Sequence, residues 1–320
     1  MQGDAGMSVM QEPVAEAVGG YHHEAFLYSG MAEFLAGTMP LIGRAVDAGD
    51  PVLVVVSGSK IDVLRRELGA RAGKVSFADM AAVGSNPARI IAAWWRFVDV
   101  HAGASQLWGI GEPVGPDRSP VELAECQLHE ALLNVAFDAS TPFWLLCPYD
   151  MEALAAGVIE QARRAHSFLA QGDERQACGT FRPIDLAEPF ARPMPAGPAD
   201  AAFMSFESGG LGRMRWFVAG HAELAGLGQQ PATSLVAAVN EIATNSLRYG
   251  GGHGELRVWT ENGSLLCEVS DHGHLTSPLA GRLPPAPGDG AGLWLANQFC
   301  NLVQISSSPD GTVVRVHQKL

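Results

Sequence analysis

The sequence predicts an α/β protein built in two halves, and three observations lead there. Between residues 21 and 166, short apolar runs alternate with stretches of helical periodicity, the pattern of a layered domain with a largely parallel sheet. Between Pro183 and Pro198, five prolines make the chain extended and semi-stiff. Beyond them, one long helical stretch is followed by two pairs of strand-like runs.

Residues 1–19 read as a loose tail, followed by a short extended piece and a helix between Tyr21 and Val46. Asp50-Pro51 precedes Val52–Val56, five apolar residues in a row, which marks a strand buried on both faces. Ser57-Gly58-Ser59 leads into a helix at Ile61–Leu68, and Val75–Phe77 is a second short strand. Asn86-Pro87 breaks the chain before a helix at Ala88–Val100. A third strand at Leu107–Ile110 ends at Gly111-Glu112-Pro113, and a helix covers Val121–Asn134. A fourth strand at Phe143–Cys147 ends at Pro148-Tyr149-Asp150, before a helix at Leu154–His166. The expected division is a tail at 1–19, a first domain at 20–180, a linker at 181–200 and a second domain at 201–320.

Ligands of such sheets bind beyond the carboxyl ends of the strands, where Ser57, Ser59, Glu112 and Asp150 stand. No Gly-x-x-x-x-Gly-Lys-Ser/Thr occurs, so a phosphate-cradling P-loop is absent. His22, His23, Glu112, His129, Cys147 and Asp150 form a candidate sensory site for a small molecule or a metal. Glu125, Glu130, Tyr149 and His166 add to the density of polar groups there. The same residue types also cap helices and satisfy buried backbone groups, and their spacing shows no tight ligand pattern.

In the second half, Pro231 suits a first helical turn, Ala232–Arg248 lacks Gly and Pro, and Gly250-Gly251-Gly252 stops the helix. Leu235, Val239, Ile242 and Ser246 form a packing stripe, while Glu241, Asn245 and Arg248 share a neighbouring face. A carboxylate can take a proton or steer a hydroxyl, an amide oxygen suits Mg²⁺, and a guanidinium pairs with phosphate. Taken alone, that face equally describes a solvated helix surface, and the downstream motifs decide. Strands at Glu255–Thr260 and Leu265–Ser270 flank an Asn262-Gly263 hairpin signal. The second strand runs into Asp271-His272-Gly273, a carboxylate able to accept from an exocyclic amine beside a glycine that admits a flat ring. A Pro- and Gly-rich loop from Ser277 to Gly288 follows. Gly290-Ala291-Gly292-Leu293 then opens an apolar helix to Cys300, offering free N–H groups to phosphate. Leu302–Ser307 and Thr312–Gln318 close the chain as a strand pair.

These motifs carry a resemblance. From about Gly210 to Leu320 the chain is similar to the GHKL (histidine-kinase-like) ATPase domain, an α/β two-layer sandwich, and within it to the RsbW-like anti-sigma-factor serine kinases. The matching pieces are Asn240–Gly250, Asp271-His272-Gly273, Gly290-Ala291-Gly292-Leu293 and Gly311-Thr312-Val313-Val314. The resemblance implies Glu241 as general base or orienting carboxylate, Asn245 as Mg²⁺ ligand and Asp271 on the adenine amino group, with Thr312 near the base. It implies that Gly273, Gly290 and Gly292 let the backbone close on ATP, with Arg248 and Leu293 beside the nucleotide. The family often has His where Tyr249 stands and a second Gly where His274 stands. Residues 20–170 resemble the MEDS sensory domain, distantly RecA/KaiC-like, through His22-His23-Glu24-Ala25, Tyr28, Pro51–Val56, Gly109–Pro113, Glu125–Asn134 and Leu145–Asp150. Together the halves resemble actinobacterial anti-sigma regulators of the RsbA type, which act in stress response and transcription regulation. The pairing implies a sigma factor and a STAS-type antagonist as partners, with the antagonist phosphorylated on Ser or Thr. The alternative is an ATP-binding switch that sequesters its partner without kinase activity. Relatives of the second half often pair, which leaves a homodimer open.

Of 320 residues, 47% are hydrophobic and 17% charged, as in globular chains. A formal charge of −13 disfavours direct nucleic-acid binding and suits a basic protein partner. No apolar run is long enough for a bilayer, and the first twenty residues lack a signal-peptide pattern, so a cytoplasmic location is expected and no membrane partner. Five cysteines without a C-x-x-C pair fit reduced thiols.

Overall fold

The computed structural model describes residues 20–172, 174–186, 189–286 and 290–320; the tail expected at 1–19 lies outside them. The first half runs β1 (His22–Tyr28), α1 (Gly30–Ala48), β2 (Val52–Val56), α2 (Gly58–Leu68), β3 (Ser76–Asp79), α3 (Met80–Val83), α4 (Ile90–Val100), β4 (Leu107–Gly111), α5 (Pro120–Ala136), β5 (Phe143–Asp150), α6 (Ala156–Ala165), β6 (Phe168–Gln171) and β7 (Glu174–Ala177). Its seven-stranded sheet has the order β3-β2-β4-β5-β1-β6-β7. All neighbours are parallel except β7, which returns antiparallel to β6.

The layering follows from the apolar pattern. Phe26, Val54, Trp144 and Leu146 pack with α1 and α2 on one face. Ala25, Val55, Leu145 and Cys147 pack with α4, α5 and α6 on the other. The central strands are therefore covered twice, which is why Val52–Val56 does not alternate with polar residues. Helix α5 starts at a capping box: the Ser119 hydroxyl caps the Glu122 N–H, while the Glu122 carboxylate accepts from the Ser119 N–H at 2.9 Å.

The second half runs β8 (Ala202–Glu207), α7 (Leu211–Leu224), α8 (Gln229–Tyr249), β9 (His253–Glu261), β10 (Ser264–Asp271), α9 (Gly292–Phe299), β11 (Leu302–Ser308) and β12 (Gly311–Lys319). Its sheet is antiparallel throughout, in the order β11-β12-β10-β9-β8. Leu235, Val239, Ile242 and Ser246 of α8 are all buried, as their spacing predicts. They pack with α7 and α9 on the face presenting Leu265, Cys267, Val269, Val314 and Val316. The β9–β10 turn uses Asn262 at φ 47° and Gly263 at φ 70°, the two positive values that such a tight hairpin requires.

The Pro-rich connection is docked rather than free. The Phe190 carbonyl accepts from the Ser307 N–H at 2.9 Å, and the Pro195 carbonyl from Arg315 Nη2 at 2.7 Å. Gly197 lies flat against the Trp259 ring, where a Cβ would approach to 3.2 Å. Among the described residues, no helix is long and apolar enough to cross a membrane.

Candidate nucleotide site and polar clusters

Helix α8 and strand β10 converge on Asp271. The Ser246 hydroxyl donates to Asp271 Oδ2 at 2.6 Å, and the Gly273 N–H donates to Oδ1 at 2.7 Å. Each carboxylate oxygen has a second lone pair, so acceptor capacity remains for a ligand amine. Behind it runs a one-way chain of donors. The Leu275 N–H donates to Ser307 Oγ at 2.8 Å, and Thr312 Oγ1 lies 2.7 Å from Ser307 Oγ. Thr312 itself donates to the Gly273 carbonyl at 2.8 Å, so the Ser307 proton must serve Thr312. The Asp271-His272-Gly273 turn is thereby fixed from both sides.

Two glycines are required by close approach. A Cβ on Gly250 would sit 2.4 Å from Asp271 Cγ, and one on Gly292 would sit 2.8 Å from Asn245 Nδ2 and 3.2 Å from the Glu241 carbonyl. The first lets the end of α8 pass the carboxylate. The second lets the start of α9 press against the Glu241–Asn245 turn of α8.

The resulting cavity has a volume of about 370 Å³, within the range of small-ligand sites. Asn245, Asp271, Gly273, Gly290, Leu293 and Thr312 line it, all sequence-predicted. Gly292 stands directly behind them. Arg248 is exposed and outside the lining, and Glu241 is half-buried beyond its α9 edge. Ile242, expected only to pack, also lines the cavity, as do Tyr249, His274, Leu275, Ala280 and Gly281, which carried no sequence-based role. Ser246, expected only to pack, is the residue that orients Asp271. The signal available for it was a hydroxyl on an otherwise apolar stripe.

The cavity is roofed by a loop that the first half grips. Leu279 and Leu283 pack against the core under α4–α6, and Arg282 donates to Glu125 Oε2 on α5 at 2.9 Å. Burial pushes the Glu125 carboxyl up, and Arg282 pulls it back. Helix α9 is gripped too. Arg89 Nε donates to the Asn297 carbonyl at 2.7 Å, and Nη2 to the Gln298 carbonyl at 2.7 Å and the Cys300 carbonyl at 3.1 Å. Buried Asn86 adds bonds to Asn297 and Cys300. A cation thus caps the carbonyl end of the helix whose amino end faces the cavity.

The six sensory candidates do not form one site. His22 and His23 are successive strand residues, so they face opposite sides of the sheet. His22 lies between Trp144 and Phe168, with ring centroids 3.9 and 4.1 Å away. His23 meets Cys147, whose Sγ is 3.4 Å from Nε2, together with Glu130 and His166. Glu112 and Asp150 line a separate cleft of about 720 Å³ at the carboxyl ends of the strands, with Ser57, Ser59 and Lys60. There Lys60 reaches the Glu112 carboxylate at 2.5 and 2.7 Å and the Tyr28 hydroxyl donates to it at 2.6 Å. Burial raises the Glu112 carboxyl, against the pull of Lys60. His129 is buried and neutral, burial pushing it down to about 3.

Residues 22–167 match the MEDS family, the methanogen/methylotroph, DcmR sensory domain, and residues 204–317 match the histidine kinase-like ATPase domain. A Mycobacterium tuberculosis structure of RsbU and RsbW domains is similar at 14% identity and a TM-score of 0.30, over 38% of this chain and 32% of that one. The Acinetobacter baumannii histidine kinase AdeS is similar at 12% identity and a TM-score of 0.22, over 37% of this chain and 68% of that one. The chain spans about a third of the length of the first of these. No curated protein matches. The chain therefore joins a region matching the MEDS domain to a region matching the histidine kinase-like ATPase domain.

Proposed function

We propose that this protein is an anti-sigma regulator whose second half binds ATP with Mg²⁺ under control of the first. The observation that carries the reading is the single cavity joining Asp271, Asn245 and the glycine backbone before α9. The residues fit the nucleotide. Asp271 is doubly anchored with acceptor capacity free, Gly250 and Gly273 let its carboxylate approach where a Cβ would clash with it, and Asn245 offers an amide oxygen. When bound, Mg²⁺-ATP supplies the transferable phosphoryl group. The chain's part is to hold the base at Asp271, to hold the metal at Asn245, and to exclude water beneath Ala280 and Gly281. Glu241 would orient the accepting hydroxyl of a STAS-type antagonist while a sigma factor is sequestered. The first half's hold on the loop and on α9 supports control from that side.

A second reading is a sequestering switch without transfer. It is favoured by the position of Glu241 outside the lining and by His274 where relatives carry a second glycine. Incubating the full chain with labelled ATP and candidate antagonists separates the two. Label on an antagonist serine or threonine, lost in Glu241→Ala while ATP binding persists, supports the kinase; binding without transfer supports the switch. Neither outcome fits a chain that fails to bind ATP.

A further inference from the structure

We propose that His23, Glu130, Cys147 and His166 form a buried site for a divalent transition metal ion of the zinc class. They come from β1, α5, β5 and the residue after α6, and one donor atom from each lies within 4.8 Å of all the others. All four are buried.

The hydrogen bonds around the site fix where the imidazole protons are. Asn134 Nδ2 donates to the carbonyls of Glu130, Ala131 and Ala165, the last at 2.8 Å. Its Oδ1 therefore accepts, and His23 Nδ1, 3.1 Å away, carries the proton. His166 Nδ1 lies 2.8 Å from the Ala162 carbonyl, which can only accept, so its proton also sits on Nδ1. Both Nε2 lone pairs then point at Glu130 Oε2, each at 3.1 Å. Cys147 Sγ stands 3.4 Å from His23 Nε2.

Without a cation the Cys147 thiol can donate to His23 Nε2, but His166 Nε2 still faces Glu130 Oε2 as acceptor against acceptor in a dry interior, which is costly. A proton on one ring would serve one contact only. Among the described residues, His166 Nε2, Glu130 Oε1, His129 Nδ1 and Tyr21 Oη, all in this neighbourhood, find no hydrogen-bond partner. A metal ion answers the geometry. Zinc–ligand bonds of about 2.0–2.3 Å in a tetrahedron put donors about 3.3–3.8 Å apart. The observed 3.1, 3.1 and 3.4 Å lie a few tenths inside or within that range. The charge also balances: binding M²⁺ releases the Cys147 thiol proton to solvent, and thiolate plus Glu130 carboxylate neutralise the ion. Asn134 and the Ala162 carbonyl act as the outer groups that orient metal-binding imidazoles. Four protein ligands leave no open position, so the site is one for structure or sensing rather than catalysis. The inference does not depend on nucleotide binding by the second half.

The test uses the full chain made without a metal-affinity tag, stripped with chelator and reloaded with Zn²⁺ or Co²⁺ alone. The expected result is one equivalent of metal per chain, with the intense visible bands of tetrahedral cobalt and a thiolate-to-cobalt charge-transfer band. Cys147→Ser, nearly isosteric, should lose the charge-transfer band; Cys178→Ser should keep it. His166→Ala should lose stoichiometric binding, with far-ultraviolet circular dichroism reporting the fold. Failure of the stripped wild-type chain to take up a stoichiometric ion, an octahedral cobalt spectrum, or a charge-transfer band surviving in Cys147→Ser would each overturn the assignment.

Discussion

The first half grips the cavity roof through the packing of Leu279 and Leu283 and through one buried ion pair, Arg282–Glu125, and removing either partner takes the nearest counter-charge from the other. The side chains are 4% and 9% exposed and the Nη2–Oε2 distance is 2.9 Å. Unit charges about 4 Å apart attract by about 4 kcal/mol at an effective dielectric of about 20. Arg282→Ala or Glu125→Ala should each cost about 3–5 kcal/mol, because a buried charge loses its counter-ion. The double variant buries no uncompensated charge, so it should cost less than the sum, with a coupling of at least about 1.5 kcal/mol. The loop has an escape: it can undock, taking Arg282 into water. The cost is then capped at the free energy of docking Leu279 and Leu283, and protease sensitivity within residues 275–286 rises. Denaturant unfolding of the four proteins, with limited proteolysis beside it, measures both. Additivity of the single variants to within about 0.5 kcal/mol, with the loop equally protected in all four, would refute the coupling.

Gly250→Ala isolates the close approach to Asp271. The φ of −101° is open to alanine, so backbone strain is not involved, and the 2.4 Å clash should abolish nucleotide binding and cost about 1–3 kcal/mol of stability; titration calorimetry below the melting transition, with melting beside it, checks both. Ser246→Ala removes a hydrogen bond to a carboxylate, worth about 1.5–3 kcal/mol, and should weaken ATP binding at least about tenfold with the fold intact. His317 is lowered to about 4 by burial and then by Arg315, against Glu122. Its unfolded value is about 6.5, so its contribution is full above pH 6.5 and is lost as pH falls toward 4. The loss is on the order of 3 kcal/mol, and His317→Gln should flatten that limb in unfolding measured against pH.

The elements read most directly from the sequence are those whose own residues carry the signal. Val52–Val56 is buried on both faces and shows it as an unbroken apolar run. Helix α8 shows its packing stripe, and Asn262-Gly263 shows its turn. Five elements escaped: α3, β6, β7, α7 and β8. Strand β7 is Glu-Arg-Gln-Ala, exposed along its length and held by pairing with β6, itself four residues long, and by Arg175 Nε donating to Glu24 Oε1 at 3.1 Å. Helix α7 carries Gly212 and Gly220, which dilute its periodicity. Strand β8 buries only Phe206 deeply, because it is the edge of its sheet. In the nucleotide cavity the motif residues were legible because local spacing carries them. The roof was not, because Ala280, Gly281 and Arg282 are placed by Glu125 on a helix about 150 residues away. In the first half the density of His, Cys and carboxylate was visible, but its sorting was not. Strand parity splits His22 from His23, and the i, i+4 stripe Cys126, Glu130 and Asn134 was the unread sign that Glu130 faces the core.

Calorimetry of the full chain with ATP and Mg²⁺ tests the central claim most directly. The account predicts saturable one-site binding that disappears in Asp271→Asn and loses its magnesium dependence in Asn245→Ala. No binding by the wild-type chain, or equal binding by Asp271→Asn, would contradict it.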